Sequence, residues 1–425
     1  MEQRQWTEMR AAGEMDALIR ATLPLAEVSS EAAAHLMRAL TSYEQLFLLS
    51  EETVDWLKNT AMEGNRYAQF AYGRWHVSTR PRKESSGIAR DMFEKAYAQG
   101  LPEAAVSLSS MLYYGVGDVV DRETADRLLH EALATGCGYA RETCVKYLIY
   151  GLCDWEANPQ KALNDIKLFC EEDTAHGLDE NPLWHYYRAC AVEELFGRTK
   201  AIVDYRKAAD LGVTRAWLDL AVAYGYGDGK EDIINHAAYV SHLKVGHRHN
   251  NPDCSLFLAL ANVEHWEEMP RFTQYISAWQ AILDIKNAYT KGSETAAEVL
   301  GDIYHYGQYG QKEDIDLAWE WYEKAARFGA VSAIEKMFDM IHDKLIERDT
   351  ACRDMLALHG ARLDSKRLLA ETVIAHTMGR LADHAEEIEK YYNPVFDDPN
   401  FTILDDPEDE KDDLEEEDGR YDAYC

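Results

Sequence analysis

Apolar residues along this chain recur at helical spacing and come in paired stripes. In the stretch 296–329, AAEVLGDIYHYGQYGQKEDIDLAWEWYEKAARFG, residues Ala296, Leu300, Gly301 and Tyr304 share one helical face. A turn with Gly307 and Gly310 follows, then Ala318, Trp321, Tyr322, Ala325 and Ala326 form a second stripe closed by Gly329. The spacing predicts a helical hairpin. Small residues at Ala296, Gly301 and Ala318 let two helix axes approach, while Leu300, Tyr304, Trp321 and Tyr322 fill the flanking volume. Gly329 suits the left-handed residue that ends the second helix. Alone, such a hairpin leaves one apolar face in water, so it needs neighbours.

Copies of the second stripe start at Ala89, Ala125, Ala162, Ala201, Asn235, Ala281 and Ala318, separated by 36, 37, 39, 34, 46 and 37 residues. Most close on glycine eleven positions later (Gly100, Gly136, Gly212, Gly246, Gly292, Gly329), whereas Asp173 stands there in the third. First stripes recur in step at Ala68, Ala104, Ala140, Ala216 and Ala296, with weaker copies at Leu183 and Ser255 and a degraded leading unit with Ala32, Leu36 and Leu40, then Trp56, Leu57 and Ala61. A near-constant period of this length predicts an all-α, α/α superhelical solenoid of about eight helix-turn-helix repeats with helical caps.

The pattern A-x-x-x-L-G-x-x-Y-x-x-G, a short loop, then A-x-x-W-Y-x-K-A-A-x-x-G resembles the Sel-1-like repeat, a tetratricopeptide-related right-handed α/α solenoid. The resemblance implies a curved, non-enzymatic scaffold or adaptor that holds a protein or peptide on its concave face. It covers roughly 31–329.

Outside the repeats, 8–22 and 30–49 read as helices, with Pro24 between them and Ser30 as an N-cap; after Gly329 the phase continues through Ala333, Met337 and Phe338, and 347–359 and 364–392 read as longer helices. The expected organisation is a helical cap over 1–29, the solenoid over 30–341, a helical cap over 342–394 and a disordered acidic tail over 395–425.

Charge narrows the partner. The net charge is −32, and from Asp397 onward fourteen acids face only Lys411 and Arg420, so −12 of it sits in the tail. Such a polyanion repels nucleic acid; either it binds basic protein surfaces or the charge, the tail's above all, merely keeps the chain soluble. The rival reading is an inhibitor or immunity protein that neutralises a basic toxin or nucleic-acid-binding protein. Phe401, Ile403 and Leu404 among the tail acids resemble a short docking motif. The opening MEQRQWTEMRAAGEMDALIRA lacks the apolar core of a signal peptide, and no apolar run is long enough to span a membrane. The eight cysteines follow no repeat-phased spacing and form no CxxC, unlike the regular pairs of secreted members of the resembling class; free thiols in the cytoplasm are expected.

Candidate binding residues are the tyrosines that precede a loop glycine, Tyr114, Tyr150, Tyr226 and Tyr306, which could form a ladder of aromatic anchors or else pack each on its own turn. Trp184 and Trp217 could add anchors or fill the core. His242, His247, His249 and Cys254 straddle a loop without the paired spacing of a zinc site, and Gly225, Gly227, Gly229 and Lys230 follow a helix where a phosphate loop would need a strand. No cofactor, metal or catalytic set is expected.

Overall fold

The computed structural model describes residues 6, 9, 14–41, 46, 49–79, 83–117, 119–175, 181–227, 234–264 and 276–393; the tail, its 401–404 motif, Gly229 and Lys230 lie outside them. Every regular element among the described residues is helical, and none is long and apolar enough to cross a membrane. The chain divides into two compact units, Met1–Ala330 and Val331–Cys425.

In the first unit the helices are α1 (Met15–Thr22), α2 (Ser30–Thr41), α3 (Glu51–Met62), α4 (Arg66–Thr79), α5 (Lys83–Ala98), α6 (Pro102–Tyr113), α7 (Arg122–Ala134), α8 (Gly138–Tyr150) and α9 (Pro159–Ala175). They continue with α10 (Pro182–Phe196), α11 (Arg198–Asp210), α12 (Ala216–Gly225), α13 (His236–Arg248), α14 (Pro252–Glu264), α15 (Ala278–Thr290), α16 (Glu294–His305) and α17 (Ile315–Ala326). From α3 onward each helix packs on the next, which is the α/α solenoid that the period implies. Pro102, Pro159, Pro182 and Pro252 each open a helix, where a missing N–H costs no bond.

Four hairpins are closed by a device in phase with the repeat. The N-cap of the second helix accepts a bond on its side chain and donates its own N–H back to a carbonyl near the end of the first helix. Asp121 bonds Leu112 (3.0 Å), Asn158 bonds Leu148 (2.6 Å), Asn235 bonds Tyr224 (2.7 Å) and Asp314 bonds Tyr304 (2.8 Å). Their side-chain oxygens receive the N–H groups of Thr124, Lys161, Ala238 and Leu317.

This device corrects the phase of the fifth second helix. Asn235 is its N-cap, so Tyr239 takes the position that alanine holds elsewhere, and the intervals from Ala201 to Tyr239 and on to Ala281 become 38 and 42. The helix runs past Gly246 and stops at left-handed Asn250 (φ 59°). Asparagine tolerates that conformation and hid the terminator. Gly246 instead sits where other units carry alanine, and a Cβ there would strike the Cys254 thiol. Where Asp173 replaces the closing glycine, α9 runs on to Ala175. Ser29, rather than Ser30, caps α2, receiving the Ala32 N–H at 3.1 Å.

The second unit holds α18 (Val331–His342), α19 (Thr350–Arg362), α20 (Lys366–Thr377) and α21 (Ala385–Tyr391) around Leu358, Ala361, Leu369, Val373, Ile388 and Tyr392. The helix expected over 364–392 is broken at Gly379 (φ 75°), where the Arg380 N–H turns back to the Ala375 carbonyl. Buried Arg362 clasps Glu387 with two bonds of 2.9 and 2.8 Å.

Candidate interaction groove

The solenoid has an inner and an outer side. Neighbouring first helices touch, α6 with α8, α8 with α10, α12 with α14 and α14 with α16, whereas no second helix makes comparable contact with the next second helix. The first helices therefore line the inside of the curve, and residues that their core stripe leaves over face the concavity.

That inner wall carries charge and aromatic rings. Near its start Arg74, only 2% exposed, donates from Nε to the Leu40 carbonyl (3.1 Å) and from Nη1 to the Tyr139 hydroxyl (3.1 Å), joining α4 to α8. On α8, Glu142 is buried and accepts from Asn181 Nδ2 at 2.9 Å. Burial pushes its carboxyl up to about 7, against the pull of the Asn181 bond and of Arg38 on α2.

Farther along, Tyr186 meets Tyr187 (ring centroids 5.7 Å) and Tyr205 (5.9 Å). Tyr205 donates to Glu193 at 2.6 Å, and its hydroxyl lies 3.7 Å from the Cys190 sulfur. Desolvation, with Asp219 nearby, lifts the Cys190 thiol to about 12 and holds Tyr186 far above the usual phenol range. At the far end Ser293 donates to Asp253 at 2.6 Å while capping α16 through the Ala296 N–H. Glu294 beside it is open to solvent yet walled by protein. Desolvation and then Asp253 push its carboxyl up to about 7, opposed by Arg215 on α12 and Lys146 on α8.

The candidate tyrosines take separate places. Tyr150 joins the inner cluster, its phenol raised by desolvation and by Cys190. Tyr114 is half-buried and accepts from the Cys153 thiol at 3.3 Å. Tyr226 (37% exposed) meets the Tyr239 ring, and Tyr306 (56% exposed) stacks on His305 at 4.4 Å. Both tryptophans are buried in the core: Trp184 packs on Phe169 and donates to Asp173 at 3.1 Å, and Trp217 stacks between His242 and His249. The histidine loop is accounted for by the same packing, with His247 Nδ1 2.9 Å from the Ser255 hydroxyl and Cys254 buried against Gly246. No group of three or more metal-ligating side chains occurs among the described residues.

A family model described as Sel1 repeat matches residues 295–327, the hairpin α16–α17. That hairpin is a Sel1 repeat. An uncharacterized protein of Neisseria meningitidis serogroup B is 26% identical over 339 residues, which are 72% of this chain and 59% of that protein, so the chain spans under two thirds of that relative's length. The crystal structure of a Sel1 repeat protein from Oxalobacter formigenes is similar over 72% of this chain and 85% of that one, with 18% identity and a TM-score of 0.37. A protective antigen present in uropathogenic Escherichia coli strains and displaying an SLR fold is similar over 84% of this chain and 75% of that one, with 17% identity and a TM-score of 0.35.

Sel1 repeats generally serve protein–protein interaction. No repeat pattern in the sequence singles out Lys146, Glu142, Tyr186, Asp219, Asp253 and Glu294. The cap bonds also shift one register: Asn251 receives the Cys254 N–H as Ser293 receives the Ala296 N–H, so buried Cys254, not Ser255, is the first core position of α14.

Proposed function

We propose that this protein is a non-enzymatic, cytoplasmic scaffold that holds an extended basic segment of a partner protein along its inner wall. The observation that carries the reading is the pairing of two carboxylates at the far end of the wall, where Asp253 and Glu294 lie close enough for Asp253 to raise Glu294, in surroundings that desolvate that carboxylate enough to lift it to about 7. A guanidinium or ammonium entering there supplies the missing counter-charge, and the Tyr150 and Tyr186 rings offer faces for its stem. Exposed Tyr226 and Tyr306 extend the contact as partial anchors of the ladder. The acidic tail adds long-range attraction for the same kind of partner.

Fluorescence anisotropy with labelled ten- to twelve-residue peptides rich in arginine, and with acidic counterparts, tests this. Basic peptides bind, acidic ones do not, and affinity falls about tenfold or more between low and moderate salt. The double substitution Asp253→Asn with Glu294→Gln weakens binding at least about tenfold while the melting temperature stays put. Salt-insensitive binding, or equal binding of both peptide classes, defeats the basic-partner reading.

A further inference from the structure

A cavity of about 640 Å³ opens between α6, α7, α8 and the loop 151–158, and none of its lining residues belongs to the inner-wall set. Its floor is apolar, with Leu129 and Leu148; its walls are the rings of Tyr113, Tyr147 and Trp155. The rings are fixed in place. Trp155 stacks on His130 (centroids 5.9 Å, 28° between planes) and takes the Tyr147 ring edge-on (6.0 Å). Arg122 lies over Tyr113 at 4.5 Å while its Nη1 donates to both oxygens of Asp154 at 3.0 and 3.1 Å.

The Arg122–Asp154 pair cancels within the wall. The remaining charges at the rim are Glu123, Asp126 and Glu156 against Lys161, a net of −2 with His130 neutral. An apolar floor, aromatic walls and a negative rim form the combination that attracts a cation carried on an apolar stem. Aromatic rings attract such a cation, the apolar residues take its stem, and the rim supplies opposite charge. The volume lies within the range of small-ligand pockets.

We infer that this cavity is a binding site for an organic cation, an ammonium or guanidinium group on a short apolar stem, separate from the inner wall and independent of what that wall binds. The chemistry is shared by a free amine or guanidine and by a lysine or arginine side chain of a peptide.

Isothermal titration of the full chain with n-butylguanidinium, n-butylammonium, neutral n-butylurea and the tripeptide acetyl-Gly-Arg-Gly-amide tests the site. The cations are expected to bind with a dissociation constant of about 0.1–1 mM, at least about tenfold tighter than the urea. Trp155→Leu removes that binding. Asp126→Asn with Glu156→Gln, two exposed changes that leave the melting curve in place, weakens it about tenfold. Binding of the free cations but not of the tripeptide supports the site with a free amine or guanidine as its source; tighter binding of the tripeptide supports it with a peptide side chain. Urea binding as tight as the cations, no heat from any probe up to about 10 mM, or the Asp126→Asn/Glu156→Gln protein binding as the parent does, overturns it.

Discussion

At the crossing of α16 and α17, Gly301 lies against the buried ring of Tyr322, so close that a Cβ would overlap it, and the Tyr322 hydroxyl donates to buried Asp302 at 2.6 Å. About two turns earlier on the same helix, Glu294 is exposed, with its carboxyl raised by desolvation and by Asp253. The crossing tolerates one shape, and its one buried carboxyl is bonded within it. The wall carries charges whose compensation within the protein is incomplete. The same contrast recurs in the second hairpin, where a Cβ on Gly73 would come within 2.6 Å of the Phe93 ring, while Arg74, the next residue, reaches toward α8. Close packing thus sets the residues where helices touch, and polar interactions set them where the helices part.

The sharpest way to break this contrast is to empty the crossing. Tyr322→Ala is expected to cost about 3–5 kcal/mol in urea unfolding, because the ring's volume is not refilled and Asp302 loses its donor. Next in size is Glu142. Its carboxyl titrates near 4.5 in the unfolded chain and at about 7 in the folded one, so its contribution is fully present below pH 4.5 and is lost as pH rises through 7. The shift corresponds to about 3 kcal/mol, and Glu142→Gln should flatten the fall in stability that urea titrations at pH 5 and pH 8 register in the parent. Glu142 is buried, so this wall residue affects stability as strongly as a crossing residue. A pH-independent parent would remove it from that role.

Gly301→Ala follows, with an expected loss of about 1–3 kcal/mol from overpacking, although alanine is the better helix former. Gly87→Ala in α5 is its control: nothing lies within 4 Å of the new methyl group, and a gain of up to about 1 kcal/mol is expected. If both changes shift the unfolding midpoint the same way, close approach is not what selects glycine at 301. The smallest effect is reserved for Tyr226→Ala and Tyr306→Ala, each within about 0.5 kcal/mol of the parent in stability. The same variants should bind basic peptides more weakly, and a loss of stability equal to the loss of binding would return these tyrosines to packing on their own turns.

Much of the fold was legible because the repeat states it many times. Ala296, Gly301, Tyr322 and Gly329 occupy one set of positions whose copies confirm one another, and the proline placements agree with them. Legibility failed where a different residue does the same physical work. Asn250 ends α13 in glycine's place, Tyr239 stands where alanine was expected, and Gly379 cuts a pattern that otherwise reads as one long helix. Of the candidate anchors, the sequence placed tyrosines at helix ends but could not tell exposed Tyr306 from half-buried Tyr114, nor see that Trp184 and Trp217 turn into the core.

The chain's own pattern determined that hairpins form and that each must cover the next, because an amphipathic helix pair in water has no other way to dry its apolar side. Which polar residues would meet was decided only by the curvature of the stack. Lys146 and Glu294 are 148 positions apart, and no local rule of spacing brings them into one electrostatic neighbourhood; the stacking of the hairpins between them does.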